Sequence, residues 1–343
     1  MPDFSAFYSY QKDIQTLTRE GFITKNVIDT FFKAKKFAQY ARQRERVVEQ
    51  EGSLALTWPI NVGSSPNTTT FDGDDDLPIS SMDGNLLRAS LKWARYTDAL
   101  SIPLTQLSDN NGSKEAVANL LDVQLDIMKM SLLDRIASDL ILNTQAIDPK
   151  GLNGLAEAVD DGTVAPYYAN LSRSTLGTRW QANTNYVIPV ASAANLTANI
   201  HTLDLQASQD GSRPDAYFTN LLLFGQLIQS LFPQDRYMQP EMARAAGGND
   251  YVFNGNPVFL DTAIPTGVAS PSSSPPSGTN SGGLMYGINS TYFKLVVNPS
   301  YNFELMDWQI GQNNLTLFTR ILWFANMAIL KPSSNWVLWA QSF

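Results

Sequence analysis

The stretch SKEAVANLLDVQLDIMKMSLLDRIASDLILN, Ser113 to Asn143, decides the fold. Val117, Leu121, Leu125, Met128, Leu132, Ile136 and Leu140 recur at three- and four-residue steps, which lines them along one face of a helix. Ser113 stands where an N-cap is needed, and Asp148-Pro149 with Gly151 end the pattern. At roughly 1.5 Å per residue this predicts a rod about 45 Å long. Its methionines read as core filler.

Upstream of the rod, two strand-like runs, Leu54–Trp58 and Leu87–Thr97, enclose a polar segment rich in Gly, Ser, Asn and Asp. They predict a long hairpin with a decorated tip. Such a tip has no local core in which to bury its backbone, so it must lie against something else or stay mobile. Asp72, Asp74, Asp75 and Asp76 resemble the opening of a calcium loop, with Asp83 at its twelfth place. Leu77 and Pro78 occupy the places where that loop needs a glycine and a free carbonyl, so the tip reads as an acidic surface or a solvated turn.

Before the hairpin, Phe22 to Gln50 reads as an amphipathic helical arm. Ile23, Val27, Phe31, Phe37, Tyr40 and Ala41 form its apolar face, with Lys33, Lys35, Lys36, Arg42, Arg44 and Arg46 around it. Residues 1–50 hold nine Lys/Arg against six Asp/Glu, a net +3, while the whole chain carries −8. The charge is therefore segregated, and these basic residues, with the four aspartates of the tip, are the candidate intersubunit contacts.

Downstream of the rod come a turn-rich aromatic region, a helix over Ala193–Ala207, a strand in AYFTN and a helix over Leu221–Leu231, which together predict an α+β fold. NDYVFNGNPVFLD, Asn249 to Asp261, predicts a hairpin whose Asn254-Gly255 pair supplies the positive φ of a type I′ turn. Pro265–Gly283 is low-complexity, and the chain from Met285 onward is strand-rich.

Composition removes whole classes of function. With no cysteine there is no disulfide, thiolate metal site or cysteine nucleophile. The single histidine, His201, reads as a helix-face residue with Asp204 one turn on. No G-x-S-x-G, P-loop, G-x-G-x-x-G or H-E-x-x-H occurs, so we expect no enzyme, catalytic residue, metal or cofactor. The negative charge argues against broad phosphate neutralisation. The N-terminus lacks a signal-peptide pattern, and no apolar run approaches the roughly 20 residues of a membrane span.

The order of these features carries a resemblance. A basic arm is followed by Arg44-x-Arg46-Val47-Val48-Glu49-Gln50-Glu51-Gly52 at the mouth of a long loop, then a lone rod and the G-L-x-G-L turn of Gly151–Leu155. Arg213-Pro214-Asp215 precedes a strand, Phe253–Val258 forms the hairpin, and long strands close the chain. This order resembles the major capsid proteins of tailed bacteriophages, with the Hong Kong 97-like fold. The resemblance implies an N-terminal arm at 1–47 and an extended β-hairpin loop at 48–102. It places a peripheral domain at 103–189 and 300–343, built on the spine helix at about 113–143, and an axial domain at 190–299. It further implies self-assembly into hexamers and pentamers of an icosahedral head shell, assembled in the host cytoplasm around double-stranded DNA held without sequence-specific binding. A separate scaffolding protein, a portal and a decoration protein would be its partners. In some relatives a loop lysine forms an isopeptide bond with a neighbour; Gly52–Leu91 holds no lysine, so no such cross-link is expected. An encapsulin-like nanocompartment shell is the alternative within the fold. A carbohydrate-binding or carbohydrate-active protein, suggested by Trp58, Trp93, Trp180 and Trp308, is the alternative outside it.

Overall fold

A computed structural model describes residues 35–63, 67–73, 75, 85–103, 105, 114–187, 193–208, 211–231, 251–266, 282–310 and 316–340. Lys33, Asp74, Asp76, most of the expected arm and most of the low-complexity run lie outside the described residues. In chain order the strands are β1 (Val47–Glu49), β2 (Ala55–Asn61), β3 (Leu86–Lys92), β4 (Ala94–Pro103), β5 (Tyr167–Tyr168), β6 (Leu171–Ser172), β7 (Asn183–Val187) and β8 (Ala216–Thr219). They continue as β9 (Tyr251–Phe253), β10 (Asn256–Leu260), β11 (Gly283–Ile288), β12 (Phe293–Leu305), β13 (Gln309–Ile310), β14 (Thr316–Ile329) and β15 (Trp336–Ala340). The helices of six residues or more are α1 (Lys36–Ala41), α2 (Lys114–Leu142), α3 (Ala193–Ala207) and α4 (Leu221–Leu231). The rod, both later helices and the Asn-Gly hairpin stand where the sequence places them.

The chain divides into two compact units. Among the described residues, one lies within Arg95–Ile136 and Asn298–Phe324. In it β12, β14 and β13 are successive neighbours, and β4 pairs along β14. Aromatic contacts stiffen this open sheet: Phe303 stacks on Trp323 at 5.5 Å and Tyr301 on Phe324 at 4.5 Å, with the Arg95 guanidinium 5.4 Å from the Phe324 ring. The rod buries Met128, Leu132, Ile136 and, further along, Leu140, four members of its predicted stripe.

The other unit comprises Ala34–Ala94, Ala137–Val297 and Ala325–Phe343. Its centre is a six-stranded sheet of order β7-β15-β11-β8-β10-β9. Tyr217, Val258, Met285 and Leu338 point to one face, where Leu196, Ile200 and Leu203 of α3 and Leu223 and Leu227 of α4 cover them. Phe218 and Phe259 point to the other, where Phe37 and Tyr40 of α1 meet them with ring centroids at 5.0–6.5 Å. Covered on both faces, all four residues of β8 are buried, as expected of a central strand.

The arm corrects one expectation. A continuous helix through Gln50 does not form: α1 ends at Ala41, and Val47–Glu49 pairs parallel with Leu295–Val297. Consecutive β-branched Val47 and Val48 gain more from a ladder than from a helical turn. The helix itself is held by the backbone N–H of Phe37, which donates to Asp261 Oδ2 at 2.6 Å, and by complete burial of the Phe37 ring. Burial pushes the Asp261 carboxyl above the ordinary range.

Candidate assembly surfaces

The β2–β3 hairpin is amphipathic across its whole length. Leu56 faces Leu91, Trp58 faces Ala89 and Ile60 faces Leu87, so one side is apolar throughout. The opposite side carries Thr57, Pro59, Asn61, Arg88, Ser90 and Lys92. At the base the apolar side is covered: Leu56, Ala89 and Leu91 are buried. Toward the tip Trp58, Ile60 and Leu87 remain half-exposed, and on the opposite side Leu86, paired with Asn61, is 70% exposed.

The base is clamped by hydrogen bonds. Asn326 Nδ2 donates to the Lys92 carbonyl at 2.6 Å and to Asn153 Oδ1 at 2.8 Å, while Trp93 Nε1 donates to the Ser53 carbonyl at 2.7 Å. The small β5–β6 hairpin docks on β3: Ser90 N–H donates to the Ala169 carbonyl at 2.9 Å and Asn170 Nδ2 to Ser90 Oγ at 2.7 Å. Ala169 and Asn170 form its two-residue turn, both at positive φ. The root of the extended hairpin is thereby fixed in direction, and its outer half is left with its apolar side only partly covered by the described residues.

Below the clamp lies a buried polar network that sequence reasoning missed. Arg173 is fully buried; its guanidinium donates to the carbonyls of Ala165 at 2.8 Å, Glu157 at 2.7 Å and Ala158 at 3.0 Å, and pairs with Asp160 at 3.3 Å. Asp160 also accepts from the N–H groups of Gly162, Val164 and Ala165. Burial raises its carboxyl above the usual range, while those N–H groups and Arg173 pull the other way. The G-L-x-G-L turn has an equally specific cause: a Cβ on Gly154 would fall 2.6 Å from the Asp139 and Asn143 carbonyls at the end of α2.

Glu157 lines a cleft of about 430 Å³ with Ser90, Lys92, Gln145, Asn153 and Tyr167. Its carboxylate accepts from the Gln145 N–H and Asn153 Nδ2, each at 2.7 Å, and burial pushes its pKa up. A carboxyl that binds its proton more tightly folded than unfolded adds stability as pH falls through that window. On going from pH 7 to pH 5, wild-type should therefore gain stability relative to Glu157→Gln. Urea unfolding at the two pH values measures this, and a wild-type chain that loses more than the variant contradicts it.

The predicted contact residues have varied surroundings. Arg42 and Arg44 are exposed. Arg46 is engaged within the subunit, its guanidinium carbon 3.5 Å from the Tyr40 ring centroid and Nη1 donating to the Tyr40 carbonyl. Lys35 reaches Ser138 Oγ at 3.5 Å, and Lys36 is half-exposed. At the tip, Asp72 and Asp75 share an exposed turn in which Asp75 Oδ2 accepts the Asp72 N–H at 2.9 Å. Of the four tryptophans, Trp180 is buried with its indole on the Tyr168 carbonyl, which removes it from any sugar platform. His201 is exposed, but Asp204 is not its surface partner: it is buried and accepts from Trp336 Nε1 at 2.7 Å and from the Tyr217 hydroxyl. Among the described residues no group of His, Cys, Asp and Glu could hold a metal ion, and no helix is long and apolar enough to cross a membrane.

No family model matches the chain, and no curated protein matches its sequence. Solved structures do match its backbone. The chain in the capsid asymmetric unit of cyanophage A-1(L) aligns over 93% of this chain and 96% of its own, with TM-score 0.62 and 12% identity. The capsid of Myoviridae phage XM1 aligns over 95% and 97%, with TM-score 0.58 and 10% identity. The SrpI encapsulin of Synechococcus elongatus PCC 7942 aligns over 99% and 96%, with TM-score 0.54 and 11% identity. Extended hairpin, rod, central sheet and near-complete alignment together show that this chain has the Hong Kong 97-like capsid fold.

Proposed function

We propose that the chain is a structural shell subunit, the major capsid protein of a tailed phage, which assembles as hexamers and pentamers around double-stranded DNA. One observation carries this reading: the outer half of the β2–β3 hairpin has an apolar side left half-exposed at Trp58, Ile60 and Leu87. A two-stranded hairpin is marginal by itself in water and needs a further surface to cover it. A neighbouring copy supplies that surface in a shell. The exposed basic residues Arg42 and Arg44 and the acidic turn at Asp72 and Asp75 suit contacts between copies, each pair weak and multiplied by symmetry. The net charge of −8 suits a wall that encloses DNA without gripping it.

In this reading the arm and extended loop are the intersubunit pieces, the unit built on β12 and β14 is peripheral, and the six-stranded sheet is axial. β7 and β15 go with the axial piece, since their ladders lie in that sheet. Scaffold, portal and decoration proteins would be its partners in the virion. Electron microscopy of the purified chain tests the reading: closed icosahedral shells support it, and a monodisperse monomer at high concentration overturns it. Nuclease-protected DNA in particles from the native source favours the phage head, and an enclosed cargo protein favours the encapsulin-like alternative. On a denaturing gel such particles should run as monomer with no covalent ladder, because the loop from Gly52 to Leu91 offers no lysine.

A further inference from the structure

The Asn-Gly turn holds chemistry that shell assembly does not use. Asn254 and Gly255 are both exposed, with φ of 56° and 83°. The Asn254 side chain is a clasp: Nδ2 donates to Asp204 Oδ2 at 3.3 Å and lies 3.2 Å from His201 Nδ1. Asp204 in turn holds the Trp336 indole and the Tyr217 hydroxyl, so the clasp joins the turn to α3 and to the sheet core. The Asn254 carbonyl accepts from Arg213 Nη2 at 2.6 Å.

We propose that Asn254–Gly255 is a self-modification site, at which the folded turn loses its side-chain amide and the acid so formed releases the clasp. The Gly255 N–H gives its proton to water or hydroxide, and its nitrogen attacks Asn254 Cγ, forming a five-membered succinimide. The Cγ–Nδ2 bond breaks and Nδ2 leaves as ammonia after taking a proton. Water then opens the ring at either carbonyl, giving aspartate or isoaspartate with no change in oxidation state. Glycine leaves the attacking nitrogen unhindered, and no described residue bonds the Gly255 N–H. The Arg213 guanidinium on the Asn254 carbonyl draws charge from that same peptide, which stabilises its deprotonated nitrogen.

Asn153–Gly154 is the control built into the chain. Asn153 is buried, its amide is held by Glu157 and Asn326, and the Gly154 N–H donates to the Asn143 carbonyl at 3.0 Å. That pair can react only through local opening. The product at 254 is different in consequence as well as in rate. A carboxylate there no longer donates, and it faces the buried Asp204 carboxylate across the 3.3 Å that the amide spanned.

Peptide mapping of the folded chain held in mildly alkaline buffer tests the site. Conversion to aspartate and isoaspartate at 254 should run at least about tenfold faster than at 153. Equal rates, or an intact Asn254 after Asn153 has reacted, overturn the proposal. Release of the clasp is read separately from Asn254→Asp, which should melt about 3–6 °C below wild-type. Asn254→Gly keeps the positive φ and should show no loss of melting temperature on storage in that buffer. An Asn254→Asp chain that melts with wild-type overturns the release of the clasp.

Discussion

Replacing Ile60 and Leu87 together by aspartate is expected to leave a folded subunit that no longer closes shells. The two residues face each other across the β2–β3 ladder on its apolar side, and both are half-exposed in the subunit. The buried part of that side, Leu56, Ala89 and Leu91, lies nearer the base and is untouched. The hydrogen bonds that fix the base, from Asn326, Trp93 and Asn170, are untouched as well. Both residues are partly buried, so the double variant should lose about 1–3 kcal/mol of subunit stability and still fold.

Assembly responds differently because the neighbour must bury what the subunit leaves open. Completing the burial of each aliphatic side chain contributes up to about 1 kcal/mol, at most roughly a third of a full transfer from water. Forcing an ionised carboxylate into the same place costs several kcal/mol more. Across both positions the contact weakens by on the order of 5 kcal/mol, a factor of more than about a thousand in its association constant. Melting temperature and electron microscopy separate the two effects. Shells at normal yield from the double variant would show that the outer hairpin is not an assembly surface. A subunit that fails to fold would show that the hairpin face belongs to the subunit core.

The contrast between what the sequence reveals and what it conceals follows from the range of the interactions. α2, the Asn254-Gly255 turn and the strand runs are specified by periodicity and turn chemistry within a few residues, and they are legible. The apolar side of β2–β3 is legible in alternation, but its half-exposure depends on where Asn326 and Ala169 clamp the root, far along the chain. The arm misleads for the same reason: Phe37 and Tyr40 fit a helical stripe, yet their burial is set by Phe218, Phe259 and Phe293. Arg46 carries the charge of a docking residue and is spent on Tyr40. Asp204 looks like a surface partner for His201 until Trp336, 132 residues on, is seen to need it.

Arg173 is the extreme case, since a single arginine in a turn-rich run announces nothing. Its guanidinium closes a knot: it serves the carbonyls of Glu157, Ala158 and Ala165 and pairs with the Asp160 carboxylate, which three backbone N–H groups also hold. Arg173→Met keeps most of the volume and removes every one of those donors. Breaking a buried ion pair from one side costs about 3–5 kcal/mol, because the remaining charge stays buried without its counter-ion. The orphaned carbonyls add to it, since each buried acceptor without a partner costs about 1–3 kcal/mol. The sum approaches the whole stability of an ordinary domain. Arg173→Met is therefore expected to be insoluble or to lose most of its urea resistance. Arg173→Lys should recover little of it, as one ammonium cannot serve carbonyls spread across the planar fork of a guanidinium. Pairing Arg173→Met with Asp160→Asn relieves the charge and leaves the carbonyls unmet, so it should restore only part of the loss. Full restoration by that pair would mean that the charge alone matters, and a stable Arg173→Met chain would mean that the knot holds without its arginine.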